Sequence, residues 1–342
     1  MTLVVCPNLA LDRVVAADDL RLGATQRTRC LGQQAGGKGP NVMRALAALG
    51  SPALLVGCTG DHMGELIAEL AVEERFAVLL LELDDESRVS TVVLEPDGRR
   101  TDLFEEGPRI GPAHERALVE TVGEQRPRPG EWAIVTGAAP AQASPAFYAG
   151  LAVAARGAGY RVMIDAAGEQ LHHALAMRPD LVKVNAAEAA QQARTSGDTP
   201  SAAAGDDPGD TRDTSQNKPG DTPEDSASLP AAAASCRHLV AAGAAAAVVT
   251  RGARGAVALT PDGRLLAVTS PSVEVVNAVG SGDCFAAGLL HRLESGSSLE
   301  QALPLAAAAA AANAATLMMG RFEAATAQGL ATQAAVTAVA GG

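Results

Sequence analysis

The sequence predicts an α/β protein built on a mostly parallel sheet with helices on both faces. Three observations carry that expectation. Short apolar runs rich in Val and Leu alternate with longer helical patterns, and glycines mark the joints between them. Hydrophobic residues make up 47% of the 342 residues and aromatics only 2%, so a sizeable core must be built from Ala, Val and Leu. Glycine turns open helices at both ends of the chain, around Gly36–Gly39 and around Gly280–Gly282.

In order, Leu3–Cys6 reads as a buried strand and Pro7–Asp12 as a turn ending in a carboxylate. Val14–Gln33 alternates loosely and carries Arg13, Arg21, Arg27 and Arg29, as an exposed hairpin would. Gln34–Gly39 is a glycine loop leading into an amphipathic helix that Gly50 stops. Ala53–Gly57 is a strand, Gly60–Gly64 turns into a helix reaching about Glu74, and Ala77–Leu83 is a further strand. Ser87–Leu94 and Arg100–Phe104 pair through the turn Glu95-Pro96-Asp97-Gly98. Trp132–Thr136, a helix over Ala146–Gly157, the strand Arg161–Asp165 and the segment Leu181–Asn185 continue the alternation. It resumes with Ala247–Thr250 and ends on β-branched Val273, Val275 and Val276, a strand arriving at Gly280, followed by an apolar helix from Cys284. In such sheets ligands bind beyond the carboxyl ends of the strands, and Asp12, Asp165, Asn185 and Asp283 are expected at that edge.

Residues 195–234 break the pattern. Eight acids (Asp198, Asp206, Asp207, Asp210, Asp213, Asp221, Glu224, Asp225) stand there against Arg212 and Lys218, with almost no large apolar side chains. Such a stretch cannot bury a core and reads as a disordered acidic insertion in a surface loop of a single 1–342 domain.

The net charge of −12 argues against a nucleic-acid partner. Cys6, Cys30, Cys58, Cys236 and Cys284 are scattered without metal or redox spacing, and reduced thiols in a cytoplasmic protein are expected. The Ala-rich run Leu305–Ala315 is too short to span a bilayer, so no membrane partner is expected. His172 and His173 are adjacent and share no helical face, which fits a solvated surface better than a metal site. Gly32–Lys38 imitates a nucleotide phosphate loop, but Gly39 stands where Mg²⁺ ligation needs Ser or Thr.

The late turn, Gly280-Ser281-Gly282-Asp283, points to chemistry. Glycines free the backbone, and the start of a helix gathers unpaired N–H groups and positive potential, an anion site. Asp283 inside it would repel a resting phosphate. It makes sense as a base taking a proton from an attacking hydroxyl while the Gly280–Gly282 amides hold the charge of a transferring phosphoryl group. The motif alone also fits a plain turn with Asp as a helix cap.

The ordered pair Gly36-Gly37-Lys38-Gly39-Pro40-Asn41-Val42 and Gly280-Ser281-Gly282-Asp283 resembles the two signature regions of ribokinase-like (PfkB-type) carbohydrate kinases. Asn8-Leu9-Ala10-Leu11-Asp12, Thr101–Pro108, Phe147–Leu151 and Asp180–Glu188 are similar to the hexose-phosphate branch, with 1-phosphofructokinases and tagatose-6-phosphate kinases. The resemblance implies a three-layer α/β/α fold with a small β-hairpin lid from about 13–34 and 86–106. It implies Asp283 as catalytic base with Gly280, Ser281 and Gly282 as the anion hole. Asp12, Gly36, Gly37, Lys38 and Asn41 would hold the sugar, and Arg88 and Arg27 its phosphate. Lys183, Asn185, Glu188, Thr250, Gly252, Gly255 and Asn313 would bind ATP, Glu188 organising Mg²⁺ through water. A homodimer through the lid is implied too. Leu9, Phe104 and Ala138-Ala139 depart from the branch pattern beside the substrate.

A kinase of a free sugar or nucleoside, or a non-catalytic sugar-binding sensor, are the alternatives. A sensor would need no base, and few aromatics are present to stack a nucleoside. A dinucleotide-binding oxidoreductase would need a Gly-x-Gly-x-x-Gly in the first βα turn, which is absent.

Overall fold

The computed structural model describes residues 1–195 and 227–339. Its strands are β1 (Thr2–Cys6), β2 (Ala10–Ala16), β3 (Arg29–Gly36), β4 (Ala53–Gly60), β5 (Ala77–Leu83), β6 (Arg88–Leu94) and β7 (Arg100–Phe104). The second half adds β8 (Trp132–Thr136), β9 (Arg161–Asp165), β10 (Leu181–Asn185), β11 (Ala247–Thr250), β12 (Ala256–Leu259), β13 (Leu265–Val268) and β14 (Val336–Ala338). The helices are α1 (Lys38–Ala48), α2 (Asp61–Glu73), α3 (Pro112–Gly123), α4 (Phe147–Ala158), α5 (Gly168–Leu175) and α6 (Ala186–Thr195). They continue with α7 (Leu229–Ala241), α8 (Ser281–Glu294), α9 (Leu299–Ala314) and α10 (Ala324–Ala331).

Ten strands form one sheet in the order β14-β13-β12-β11-β10-β9-β8-β1-β4-β5. From β5 to β11 every neighbour is parallel, and β12, β13 and β14 are added antiparallel at one edge. Alternation along each strand splits the core in two, because successive side chains leave opposite faces. Leu3, Val5, Ala133, Val135, Val162 and Ile164 pack with residues of α3, α4, α5 and α7. Val4, Cys6, Trp132, Ile134 and Met163 pack with α1, α2, α8, α9 and α10. This is the expected three-layer arrangement.

Small residues let neighbouring helices of one layer close up without aromatic bulk. A Cβ on Gly288 of α8 would lie 2.7 Å from the Ala306 Cα of α9, so these two helices meet nearly backbone to backbone.

A separate four-stranded sheet, ordered β3-β2-β6-β7, lies beside the large one. Its hairpins β2–β3 and β6–β7 are antiparallel, and a parallel β2–β6 seam joins them.

Several expectations need correcting. The Pro7–Asp12 turn is shorter than expected, since β2 begins at Ala10 and Asp12 lies within that strand. The run Val273–Val276 is not a strand. Val275 and Val276 are exposed and the backbone N–H of Val276 donates to Ala314 O, so the β-branched residues form a loop wall rather than sheet core. The expected insertion falls mostly on residues 196–226, which lie outside the described residues. Its C-terminal end lies earlier than expected. Leu229–Ala234 begin α7, capped by Ser228 Oγ accepting from Ala231 N–H with Pro in the first turn, and Ala232 and Ala233 are buried. Among the described residues no helix is long and apolar enough to cross a membrane.

Candidate active site

The carboxyl ends of the parallel strands, the small sheet and the start of α8 surround a cavity of about 750 Å³. Its location follows from topology: the loops leaving β8, β10 and β11 all open there. Residues from both glycine motifs line it, Gly37, Lys38 and Asn41 from the first and Gly280, Ser281, Gly282 and Asp283 from the second.

Gly280 caps α8 with φ 78°, a left-handed conformation that glycine adopts without penalty. A Cβ at Gly282 would stand 3.1 Å from Lys183 Nζ, so glycine leaves room for that ammonium group. The turn supplies acceptors to the N–H groups of Ser281 (Ala278 O, 3.2 Å) and Cys284 (Gly280 O, 2.9 Å), and Gly282 and Asp283 between them line the cavity. Asp283 is buried, and its Oδ2 accepts from Asn41 Nδ2 at 2.9 Å. Burial pushes its carboxyl up to about 7, against the pull of Lys38 and Lys183 and with a push from Asp165. Cys284 is buried, and that burial pushes its thiol up, against thiolate formation.

Lys38 and Lys183 converge on one carboxylate. Asp165, the last residue of β9, accepts from Lys38 Nζ at 3.0 Å and from Lys183 Nζ at 2.8 Å. Burial would raise its pKa, but the two ammonium groups hold it below the usual carboxylate range. Burial opposes the charge of Lys38 as well, yet Asp165, Glu188 and Asp283 keep it firmly protonated. Glu188 and Asn185 brace each other at the start of α6: Asn185 N–H donates to Glu188 Oε2 at 2.8 Å and Glu188 N–H to Asn185 Oδ1 at 2.9 Å. The other oxygen, Glu188 Oε1, stands 3.5 Å from Lys38 Nζ.

On the small sheet, Asp12 is buried and its carboxyl is raised to about 6 by burial, moderated by Arg44, Arg88 and a hydrogen bond from Gly37 N–H. A Cβ on Gly36 would overlap that carboxyl, which explains a glycine there. Arg88 is held by Asn8 and Ser90: Nε donates to Asn8 Oδ1 at 3.1 Å and Nη1 to Ser90 Oγ at 3.2 Å. Asn8 is itself anchored, donating to Ala139 O at 3.2 Å. Val92, Phe104, Ala138 and Met319 add apolar surface near these groups.

The opposite end of the cavity is different in kind. Thr250, Gly252, Gly255, Ser272, Val273, Val275 and the α9 residues Ala307, Ala310, Ala311 and Ala314 line it, mostly with small side chains and backbone.

Of the residues expected at a site, Asp12, Gly37, Lys38, Asn41, Arg88, Lys183, Asn185, Glu188, Thr250, Gly252, Gly255 and Gly280–Asp283 all meet in this cavity. Three do not line it. Gly36 supports Asp12 from behind. Arg27 lies exposed on the connection between β2 and β3. Asn313 is fully buried and braces the glycine turn, donating to Val279 O at 2.8 Å and Ser281 Oγ at 3.0 Å while accepting from Gly320 N–H at 2.7 Å. Asp165 was expected at the ligand-binding edge but without a role, and Asn8 was missed as a site residue. The available signal was a carboxylate closing a strand at the ligand-binding edge, and an Asn just past the end of β1.

Together the cavity offers a buried carboxylate at a helix start, two ammonium groups and a braced guanidinium. That set can deprotonate a hydroxyl and offset phosphate charge. Comparison with known proteins agrees. The family model described as pfkB family carbohydrate kinase matches residues 1–317. The chain is 30% identical over 303 residues to a 1-phosphofructokinase of Rhodobacter capsulatus, covering 88% of this chain and 86% of the relative. It is 25% identical over 323 residues to a 1-phosphofructokinase of Bacillus subtilis, covering 94% and 95%. The crystal structure of phosphofructokinase-2 from Escherichia coli in complex with substrates and products superposes with a TM-score of 0.80 at 23% identity, over 97% of this chain and 98% of that one.

Proposed function

This chain belongs to the pfkB family of carbohydrate kinases, and on that premise we propose that it transfers the γ-phosphoryl group of ATP to a hydroxyl of a sugar phosphate. Fructose 1-phosphate, fructose 6-phosphate and tagatose 6-phosphate define the acceptor class, with fructose 1-phosphate favoured by the names of the relatives. The observation that carries the reading is Asp283: a buried carboxylate at a glycine-turned helix start, held on one oxygen by Asn41 and flanked by Lys38 and Lys183.

Asp283 takes the proton of the acceptor hydroxyl, which is far too weak an acid to ionise by itself near neutrality. Charge gathering on the transferring group is offset by the Gly280 and Gly282 amides, the Ser281 N–H being engaged by Ala278 O, and by Lys38 and Lys183. Asp12 and Asn41 orient the sugar, and Arg88 binds the phosphate it already carries, a task suited to a guanidinium braced by Asn8 and Ser90. ATP lies along the end lined by Thr250, Gly252, Gly255 and α9, its phosphates toward Lys183 and Asn185.

The donor set suits Mg²⁺ held through water. Glu188 offers a hard oxygen only loosely engaged by Lys38, and Asp165 is already committed to two lysines. When bound, Mg²⁺ would neutralise phosphate charge on the nucleotide. The small sheet serves as a lid that excludes water, and its exposed Leu22, Leu103 and Phe104 suit pairing with a second copy. Sedimentation showing a monomer at micromolar protein would remove the dimer.

The test is ADP release with MgATP across the three sugar phosphates, free hexoses, ribose and adenosine. Turnover on one sugar phosphate is expected. Turnover confined to a free sugar or nucleoside would overturn the acceptor class, and sugar binding without any turnover would indicate a sensor.

A further inference from the structure

Behind the lining residues of the cavity lies a buried charge that the phosphoryl-transfer reading leaves without a task. Arg44, on the inner face of α1, is only 5% exposed. A buried guanidinium is tolerated only when its N–H groups find acceptors. Here Nε and Nη2 both donate to the carboxylate of Glu74, Nη2 also to Ala35 O, and the guanidinium lies over the Phe76 ring at 5.6 Å. The remaining nitrogen, Nη1, donates to Asn41 Oδ1 at 3.1 Å. Glu74 is shared with Arg321, whose Nε donates to Gln34 Oε1 at 3.1 Å. The guanidinium is thus locked from three sides before it reaches Asn41.

That contact settles which way the Asn41 amide points. Arginine has donors and no acceptor, so the Asn41 atom facing it must be the carbonyl oxygen. The NH₂ group is then directed at Asp283, where it donates to Oδ2 at 2.9 Å. Were the amide turned over, NH₂ would face a cation and the carbonyl oxygen would face a carboxylate, unfavourable at both ends. A Cβ on Gly280 would lie 3.3 Å from Asn41 Nδ2, so the turn leaves the amide space without a competing side chain. With Oδ2 occupied, Oδ1 of Asp283 is the oxygen left for a hydroxyl proton.

We propose that Arg44 is a positioning residue for phosphoryl transfer, fixing the side-chain amide of Asn41 so that its NH₂ group holds and orients the Asp283 carboxylate. The proposal rests on Asp283 being the base. Its specific content is the route: Arg44 acts through Asn41 and not as a distant charge or a mere packing element.

A double-mutant cycle tests that route. Arg44→Met, Asn41→Ala and the double variant are assayed with MgATP and fructose 1-phosphate on protein shown to be folded by circular dichroism. Arg44→Met is expected to lower kcat about 10- to 100-fold, the range for a misaligned reacting group, with KM for ATP nearly unchanged. In the Asn41→Ala background Arg44→Met should add almost nothing. Independent, multiplying losses would overturn the proposal. If Glu74 left unpaired prevents folding, the Arg44→Met/Glu74→Gln pair replaces the single variant throughout.

A second readout needs no turnover. The ¹³C carboxyl titration of Asp283 in the unliganded protein should move to higher pH in Arg44→Met, because the donor to its charged form is no longer held in place. The other groups facing it, Lys38, Lys183, Asp165 and the buried thiols of Cys6 and Cys284, are left in place in every variant. The displacement should vanish when Asn41 is already Ala. An unmoved titration, or an equal displacement in the Asn41→Ala background, would overturn the proposal even if no sugar phosphate were turned over.

Discussion

Two buried carboxylates at this site, linked through the same two lysines, have opposite electrostatics. At the end of β9, Asp165 receives both Lys38 and Lys183 and is held in its charged form. At the start of α8, Asp283 has one neutral donor, Asn41, and burial raises its carboxyl to about 7. Burial is the first influence on each, so depth alone does not separate them. What separates them is which one captured the ammonium groups. By fixing the lysines, Asp165 leaves Asp283 with a proton affinity close to that of neutral solution, where a general base works best.

The contrast can be broken most severely at Asp283. Asp283→Asn keeps the shape and the hydrogen bond to Asn41 but cannot accept a proton, and kcat should fall about 10²- to 10⁴-fold, the usual contribution of a general base. Steady-state rates with MgATP and fructose 1-phosphate measure it.

Stability then sharpens the contrast by sign. Asp165 has a lowered pKa, so its stabilising effect is present above the ordinary carboxylate pKa and is lost as pH falls. Asp165→Asn leaves Lys38 and Lys183 without their shared partner and should cost roughly 3–5 kcal/mol at pH 7, less in acid, by urea denaturation. Asp283 is the reverse. Its pKa is raised, so the fold favours the protonated form, and that advantage is lost as pH rises toward about 7. Asp283→Asn should therefore be more stable than the parent at pH 8, with the gap closing toward pH 4. One variant loses stability and the other gains it at the same neutral pH. Two destabilised variants would mean that the carboxylates do not differ as described.

A smaller effect is expected at Arg88, on the small sheet. Arg88→Met should raise KM for the sugar phosphate about 10- to 100-fold, as loss of a charge-assisted hydrogen bond worth roughly 1.5–3 kcal/mol requires. KM for ATP should hold. Smallest of all, Gly288→Ala should destabilise by about 1–3 kcal/mol through overpacking against Ala306, without changing the pH behaviour of either carboxylate.

What could be read from the sequence was what depends on local backbone chemistry. Gly37 and Gly280 adopt left-handed φ of 91° and 78° at the starts of α1 and α8, and glycine–helix patterns announce that directly. The hairpin around Glu95–Gly98 and the parallel alternation were legible for the same reason. Asp165 was legible at the ligand-binding edge but its role was not, because that role is made by Lys38, 127 positions away, and by Lys183. The α9 wall was hidden by composition: in a helix of nearly uniform Ala, no periodic contrast marks the face that meets the cavity. Val273 and Val275 carried a strand pattern, but their β-branched side chains line a cavity instead of a sheet. Asn313 was expected beside a nucleotide and instead holds the glycine turn from inside, a distinction that only burial reveals.

The most direct measurement is the pH dependence of kcat/KM for fructose 1-phosphate at saturating MgATP between pH 5 and 9. Asp283 must be ionised to act, so kcat/KM should fall on the acid side with a midpoint near 7. That acid limb should be missing from the residual activity of Asp283→Asn. A parent profile flat down to pH 5, or the same limb persisting in Asp283→Asn, would contradict the assignment of Asp283 as the base.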